Sequence, residues 1–406
     1  MPLPVHEPQN VPNQPKGRNA DSTLNANRQL VLQLLIAHKA LSRKELVVLT
    51  GLQGATITLI ISELLEKKYV VQTGYRDGGN GRRVAQFSFN HSRFYCAAAM
   101  IYSSYITIGV YTTDQALLNS NYYDIDTRVD MTRTLDILVS QLEQLRSTVS
   151  DKRFLGISVA VDGPYCYRDG EMVFENPEHQ IVSFRDELEK RLNCYVQVRR
   201  TLYIVAYELH CQNQLPDRGV SSFLYFYDQS VMCGMVINGE TYVGVNGNSG
   251  NVGSILLRDT RNMAVPVEEV LSVNAMLRRA QERLAAVPGS RLPADRPLVF
   301  NDLRMGAYGD DPFCTAFFDE VADYLGQLIA VIYNMLDPVK IILGDFFPLT
   351  SRFIDRVVRV AHANCTSGFS PEVLVLNRVP RSPQGPAYLG GVRAVRDYWV
   401  SNLLLK

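Results

Sequence analysis

The stretch after Arg93 sets out one order of elements twice, and this repetition limits the folds open to the chain. The segments "FYCAAAMIY", "YITIGVYTT" and "ALLNSNYYDI" are apolar runs typical of strands, and alternating helices and strands follow them. The same order restarts with "SFLYFYDQ", "VMCGMVING" and "ETYVGV", in which Asn238-Gly239 is a hairpin signal. Such alternation favours the α/β class. The repeat predicts two α/β halves, residues 94–216 and 217–406, with a cleft between them.

Length and composition limit the class of protein to which the chain can belong. A chain of 406 residues with 46% hydrophobic and 20% charged residues is typical of a globular protein with two or three domains. No apolar run reaches the roughly 18 residues that cross a bilayer, so we expect no membrane partner. Residues 1–25 are rich in Pro, Asn and Gln and lack the apolar core of a signal peptide. We interpret them as a flexible tail.

The positions of the cysteines and of the charged residues indicate the cellular compartment and the domain organisation. Seven cysteines are scattered without a C-x-x-C pair, which favours reduced thiols in a cytoplasmic protein and argues against a cysteine zinc site. The net charge is zero, yet residues 28–93 contain ten Lys or Arg and only four Asp or Glu. A basic N-terminal module of net charge +6 is therefore fused to an acidic body.

The basic module, residues 26–93, has the pattern of a helix-turn-helix. An amphipathic helix in "ANRQLVLQLLIAH" is followed by Ser42 and Glu45, spaced as a capping box that opens a second helix. Thr50-Gly51 closes that helix, and "GATITLIISELLEKK" has apolar residues at helical spacing. Two short helices joined by a tight turn allow the second to enter the major groove of DNA.

A hairpin follows, with "YVVQTGY" and "RVAQFSFN" as strands and the basic tip "RDGGNGRR" as a wing. We expect phosphate contacts from arginines and base contacts from short polar side chains of the second helix. The DNA-binding candidates are Arg43, Gln53, Thr56, Thr58, Ser62, Arg76, Arg82 and Arg83. The alternative is a small helical module that serves only protein contacts.

Three segments of the body, taken together, are characteristic: "GISVAVDGP", "GMVINGETYVGVNGNSGNVGS" and "DPVKIILGDFF". They resemble the ROK family, which groups sugar kinases with sugar-responsive repressors. A winged helix-turn-helix ahead of such a body is similar to the branch of the N-acetylglucosamine and xylose repressors. The resemblance implies an α/β chain in which the winged helix-turn-helix precedes a duplicated, actin-like and ribonuclease-H-like sugar-kinase fold.

The motifs that the kinases of this family use are altered. Ile101-Tyr102-Ser103-Ser104-Tyr105 stands where the family has Asp-x-Gly-Gly-Thr, and residues 230–234 retain only the last glycine of Gly-Thr-Gly-x-Gly. Arg200 matches the family's catalytic Asp, and an arginine cannot accept a proton from a sugar hydroxyl. We therefore expect no catalytic residues, no bound ATP and no enzyme activity.

The glycine-rich loop "GVNGNSGNVG", residues 244–253, matches the family's Glu-x-Gly-His segment. Asn251 replaces the glutamate that binds sugar, and Ser254 replaces the histidine that ligates zinc. No cysteine follows soon after, so the resemblance implies neither zinc nor another cofactor. The ligand-binding candidates that remain are Asn176, Arg199, Arg200, Asn251 and Glu269, and the two arginines favour an anionic ligand. The alternative is a packed seam in which the arginines pair with acidic neighbours.

The sequence thus predicts a DNA-binding transcriptional regulator, a repressor of carbohydrate-related genes. Its expected partners are double-stranded DNA, a small sugar or sugar-phosphate effector, and further copies of itself in a homodimer or homotetramer. Two alternatives are a regulator that responds to a protein partner instead of a sugar, and a sugar kinase with an added domain.

Overall fold

The computed structural model describes residues 20–77, 83–127, 130–162, 166–168, 171–226, 230–284, 290–293, 296–344, 346–366, 368–377 and 382–402. The chain divides into two compact units. Unit 1 comprises Met1–Phe94, Asp151–Arg153 and Arg396–Lys406, and unit 2 comprises Tyr95–Ser150 and Phe154–Val395. Of the expected tail, residues 1–19 lie outside the described residues.

Unit 1 contains three helices and a hairpin. Its elements are α1 (Ala20–His38), α2 (Arg43–Thr50), α3 (Gly54–Glu66), β1 (Val70–Asp77) and β2 (Arg83–Phe89). Helix α1 begins six residues earlier than the sequence pattern suggested, so residues 20–25 of the expected tail are helical. Asn25 Oδ1 accepts a hydrogen bond from Arg28 Nη1 at 2.7 Å, an i, i+3 contact that stabilises these first turns.

The core of unit 1 follows the apolar periodicity of the sequence. Ile57, Ile60, Ile61 and Leu64 of α3 are fully buried, and α2 and α3 meet at 119°. This angle is within the range of helix-turn-helix pairs. Among the described helices, none is by itself long and apolar enough to cross a membrane.

The C-terminal residues of the chain complete unit 1. The ring of Trp399 lies 4.8 Å from that of Phe94 and 5.5 Å from that of Tyr69, in contacts between ring centroids. The chain has one tryptophan. Its fluorescence therefore reports on the packing of unit 1.

Unit 2 is built on two five-stranded sheets. The first has the order β10-β6-β3-β4-β5, with β3 (Phe94–Ile101), β4 (Tyr105–Thr112), β5 (Leu117–Asp124), β6 (Arg153–Val161) and β10 (Val196–Arg200). The second has the order β13-β12-β11-β16-β17, with β11 (Val220–Phe226), β12 (Val231–Ile237), β13 (Glu240–Thr241), β16 (Lys340–Gly344) and β17 (Leu374–Asn377).

The two sheets have the same topology, so the predicted duplication is confirmed. In each sheet, three strands that are consecutive in sequence form an antiparallel meander. Two further strands, parallel to each other, extend the sheet beyond the first strand of the meander. Parallel pairs need crossover helices, which explains why helices appear only after the third strand of each half.

Smaller sheets and helices complete unit 2. The remaining strands are β7 (Cys166–Arg168), β8 (Glu171–Glu175), β9 (Ile181–Ser183), β14 (Leu256–Arg258) and β15 (Ala264–Pro266). The helices are α4 (Met131–Ser147), α5 (Phe184–Leu192), α6 (Thr201–Gln212), α7 (Val267–Leu271), α8 (Val273–Leu284), α9 (Phe300–Tyr308), α10 (Pro312–Leu336), α11 (Ser351–Asn364) and α12 (Pro386–Asn402), whose last residues belong to unit 1.

Candidate DNA interface and ligand site

Both ends of α2 are fixed by local backbone features. Ser42 Oγ accepts from the Glu45 backbone N–H at 3.2 Å, and Glu45 Oε2 accepts from the Ser42 backbone N–H at 2.8 Å. At the other end of α2, Gly51 has a φ of 68°, a left-handed conformation that favours glycine. The expected capping box is present, and it fixes where α2 begins.

The outer face of α3 presents short side chains. Gln53, Thr58 and Ser62 are exposed and Thr56 is half-buried, so four of the expected base-reading residues lie on or beside this face. Leu59 lies between Thr58 and Ser62 and is 61% exposed, as its helical spacing from the buried Ile57 and Ile60 predicts. It was not among the residues predicted to contact DNA.

The arginines that were predicted to contact DNA have different surroundings. Arg83 is exposed at the start of β2, and Arg76 is exposed with its Nη1 3.4 Å from Glu45 Oε1. Arg82 lies outside the described residues. Arg43 is half-buried, with its guanidinium 4.5 Å from the centroid of the Phe87 ring. Such a cation–π contact fixes α2 to the hairpin, a role for Arg43 that the sequence did not suggest.

The capping box leads to a prediction about the stability of a Ser42 variant at neutral and acid pH. The hydrogen bonds from Ser42 hold the pKa of Glu45 below its usual value of 4.5. A carboxyl group with a lowered pKa stabilises the folded state above pH 4.5, and this contribution is lost as the pH falls through the lower value. We expect Ser42→Ala to destabilise unit 1 by about 1 kcal/mol at neutral pH and by less in acid.

Urea unfolding followed by Trp399 fluorescence measures this effect. Ser147→Ala, an exposed change at the end of α4 in unit 2, is the control and should leave the transition unchanged. An equal loss of stability at acid and neutral pH would contradict the role given to Glu45.

The glycine-rich loop is held by close backbone contacts within unit 2. Gly244, Gly247 and Gly250 have φ values of 75°, 67° and 76°. A Cβ at Gly250 would lie 1.8 Å from the carbonyl oxygen of Cys233, and one at Gly247 would lie 2.3 Å from the ring of Tyr167. At these two positions glycine is required both for the backbone angle and for the space.

Arg200 and Tyr203 hold this loop through its carbonyl groups. The Tyr203 hydroxyl donates to the Gly247 carbonyl at 3.0 Å, and Arg200 Nη1 donates to the same oxygen at 3.4 Å. Arg200 Nη2 also lies 3.9 Å from the sulfur of Met232, a residue whose backbone bridges to Asn251. The structure thus brings Arg200 and the segment that contains Asn251 together.

The other ligand candidates have local partners of their own. Arg199 is exposed and donates to the carbonyl of its neighbour Val198, while Asn176 accepts from the backbone of Gln180 in the turn after β8. Glu269 is half exposed and pairs with Arg278 at 2.6 Å.

Two residues near the loop were missed by sequence reasoning. A Cβ at Gly253 would lie 2.7 Å from Glu268 Oε2, so Glu268, and not Glu269, lies against the loop. The ring of Tyr167 covers Gly247. Consecutive residues of a helix differ by about 100° in direction, and this could have indicated that only one of the two glutamates faces the loop. Nothing in the sequence pointed to Tyr167.

The two segments that replace the kinase motifs are filled with side chains. The rings of Tyr102 and Tyr105 lie 4.4 Å apart in the turn between β3 and β4, and burial raises the pKa of Tyr102. Met232 and Cys233 are buried in β12, and burial raises the pKa of Cys233 to about 12. Both segments therefore carry bulky side chains that are partly or fully buried.

Among the residues described, no group of three or more His, Cys, Asp or Glu side chains is arranged to hold a metal ion.

Comparison with known proteins gives a consistent set of relatives. The model of a family described as the ROK family matches residues 103–385. The chain is 22% identical over 338 residues to the DNA-binding transcriptional dual regulator NagC of Escherichia coli (strain K12), covering 80% of this chain and 82% of that protein. It is 21% identical over 322 residues to the xylose repressor of Staphylococcus xylosus, covering 77% and 79%.

Solved structures show the same fold. A ROK family transcriptional regulator described as a homolog of the E. coli MLC protein superimposes with a TM-score of 0.76 at 21% identity, covering 94% of this chain and 98% of that one. A ROK family glucokinase from Streptomyces griseus, in complex with glucose and AMPPNP, has a TM-score of 0.54 at 16% identity and covers 74% and 98%. The regulator thus matches a larger part of this chain than the kinase does.

Proposed function

The chain belongs to the ROK family, and from this premise we propose that it is a DNA-binding transcriptional regulator that represses carbohydrate-related genes. Unit 1 binds operator DNA, and unit 2 binds a sugar or sugar derivative without phosphorylating it. The observation that carries the proposal is the helix-turn-helix of unit 1, in which a capped α2 meets α3 at 119° beside a hairpin that exposes Arg76 and Arg83.

The contacts with DNA divide into two kinds. Arg76 and Arg83 bind phosphates, a contribution that weakens as salt rises. Gln53, Thr58 and Ser62 contact base edges, with the apolar side chain of Leu59 beside them. A homodimer or homotetramer with two such units would recognise a palindromic operator, because the spacing of the half-sites follows the symmetry of the protein.

The chemistry of unit 2 supports a binding role over a catalytic one. Arg200 is permanently charged and cannot act as a general base, and Tyr102 and Met232 occupy segments that phosphate-binding loops would need to leave open. A ligand would act through its different affinities for the conformations that do and do not bind DNA.

A gel-shift assay with DNA from beside the protein's own gene tests the DNA-binding role. We expect Ser62→Glu to weaken the specific complex roughly 10- to 100-fold, because it places a carboxylate against the bases and phosphates of the major groove. Ser147→Glu makes the same change on an exposed position of α4 and should have no effect. The proposal fails if no specific, salt-sensitive complex forms, or if both variants weaken it equally.

A further inference from the structure

The exposed face of α3 is a narrow stripe of small and apolar side chains. Its members are spaced i, i+3, i+4 and i+7, and all four are exposed: Ala55, Thr58, Leu59 and Ser62. This spacing places them together on one face of the helix, opposite the face that α3 buries in the core of unit 1. Leu59 is the largest of the four and is 61% exposed. We call these four residues the outer stripe of α3.

Thr58 contributes a methyl group to the outer stripe of α3. Its Oγ1 donates a hydrogen bond to the carbonyl of Gly54, four residues earlier, at 2.9 Å. Threonine side chains commonly bond to the backbone of their own helix in this way. Because the hydroxyl hydrogen is used within the helix, Thr58 offers its methyl group to a base. Ala55 and Leu59 are apolar, so only Ser62 adds a polar donor to the outer stripe.

Helix α3 lacks the residues that recognise purines through paired hydrogen bonds. Arg and Lys bind guanine in the major groove, and Asn and Gln bind adenine. The sequence of α3, "GATITLIISELLE", contains none of these four residue types, and Gln53 lies before the helix, at its N-cap. The helix therefore cannot read guanine or adenine by such bonds along its length.

The two glutamates of α3 are also placed away from a role in base reading. Glu63 accepts hydrogen bonds from Arg28 Nε and Lys67 Nζ, both at 2.8 Å. Glu66 is the last residue of the helix, whereas recognition helices contact bases through their N-terminal residues. Base reading along α3 therefore depends on its outer stripe.

Thymine is the base that an apolar stripe can recognise. It carries a 5-methyl group in the major groove, and apolar side chains contact this group, while cytosine presents an amino group there. Removing the methyl group and an apolar side chain from water together is favourable. We propose that the outer stripe of α3 reads the 5-methyl groups of thymines, with Leu59 as the main contact and the methyl group of Thr58 beside it. This inference deepens the proposed function and rests on it for the position of α3 in the major groove.

DNA that contains uracil tests the inference, because uracil lacks only the 5-methyl group of thymine and forms the same base pair. The probe is the DNA fragment that gives a specific complex in the gel shift, with its thymines replaced by uracil one at a time. At least one replacement in each half-site should weaken binding of the wild-type protein roughly fourfold, the value expected for one buried methyl group.

Leu59→Ala identifies the side chain that contacts this methyl group. The variant should bind the thymine probe roughly fourfold more weakly and should no longer distinguish thymine from uracil at that position. Its melting temperature should not fall, since Leu59 is exposed. An effect of uracil on the shape of the DNA would persist in this variant. Val48→Ala shortens a 75% exposed side chain of α2 and is the matched control, which should keep the full difference between the two bases.

Two variants of Thr58 separate its methyl group from its hydroxyl group. Thr58→Val keeps a methyl group in the outer stripe of α3 and should bind within about twofold of the wild-type protein, whereas Thr58→Ser removes that group and should bind roughly fourfold more weakly. Melting temperatures establish that both variants are folded. The reverse order of affinities would show that the hydroxyl group reads the base, and would overturn the inference.

The inference is also overturned if no thymine can be replaced by uracil with a loss of affinity, if Leu59→Ala keeps the full difference between the two bases, or if Val48→Ala loses that difference as well. In each of these cases the wild-type protein still forms a specific, salt-sensitive complex, so the proposed function stands and the outer stripe of α3 serves another contact. If no fragment gives such a complex, the proposed function is wrong and the inference is overturned with it.

Discussion

Gly250→Ala is expected to destabilise unit 2 by about 3 kcal/mol or more, because the added methyl group meets backbone that cannot move easily. Gly250 has a φ of 76°, and its Cβ would lie 1.8 Å from the carbonyl oxygen and 2.8 Å from the carbonyl carbon of Cys233. The Gly250 carbonyl also accepts from the Cys233 N–H at 2.7 Å. Relieving the clash requires breaking this bond and moving the loop away from β12.

Urea unfolding followed by far-UV circular dichroism measures the loss. Gly244→Ala is the matched control, since Gly244 has a nearly identical φ of 75° but its Cβ would approach nothing closer than 3.3 Å, at Ser249. This variant carries only the cost of the left-handed backbone, about 1–2 kcal/mol. Equal losses for the two variants would show that the contact with Cys233 is unimportant.

Glu208→Leu is expected to cost about 3–5 kcal/mol, because it leaves the charge of Arg393 without its carboxylate. Glu208 of α6 is 0% exposed and accepts from Arg393 Nε at 2.6 Å and from Arg393 Nη2 at 3.1 Å. Gln115 and Gln212 donate to the same carboxylate at 3.1 and 3.0 Å. One buried group thus joins α6, α12 and the turn between β4 and β5.

A double-mutant cycle separates the energy of the ion pair from the effect of the volume that its two side chains fill. Arg393→Met alone leaves a buried carboxylate whose remaining donors, among the described residues, are the two amides, so it too should be strongly destabilising. The Glu208→Leu, Arg393→Met double variant removes both charges and should lose clearly less than the sum of the two single losses. Additive losses in urea unfolding would mean that the two charges do not stabilise each other.

Much of the fold could be predicted because it depends on residues close together in the chain. The capping box of Ser42 and Glu45 and the spacing of Ile57, Ile60 and Ile61 each predicted an element that the structure contains. The repeated order of apolar runs predicted two equivalent sheets, since runs of that type pair with their sequence neighbours.

The surroundings of single side chains were harder to predict. Arg43 is a basic residue at the start of the helix-turn-helix, but the ring that it covers, Phe87, comes from the far strand of the hairpin. Glu268 and Glu269 are chemically identical and adjacent, and only the packing of α7 decides that Glu268 lies against Gly253. Both outcomes depend on contacts between segments that are distant in sequence.

The sequence by itself determined the order of elements and the basic first module, because each depends on residue types and on short-range spacing. Only the tertiary structure decided which polar groups meet around the glycine-rich loop. It placed Tyr203 and Arg200 on the Gly247 carbonyl, Tyr167 over Gly247, and the hydroxyl of Thr201 at the start of α6. These contacts join residues that are distant in sequence, and they depend on how the helices and sheets pack together. The order of residues along the chain does not specify the distances between them.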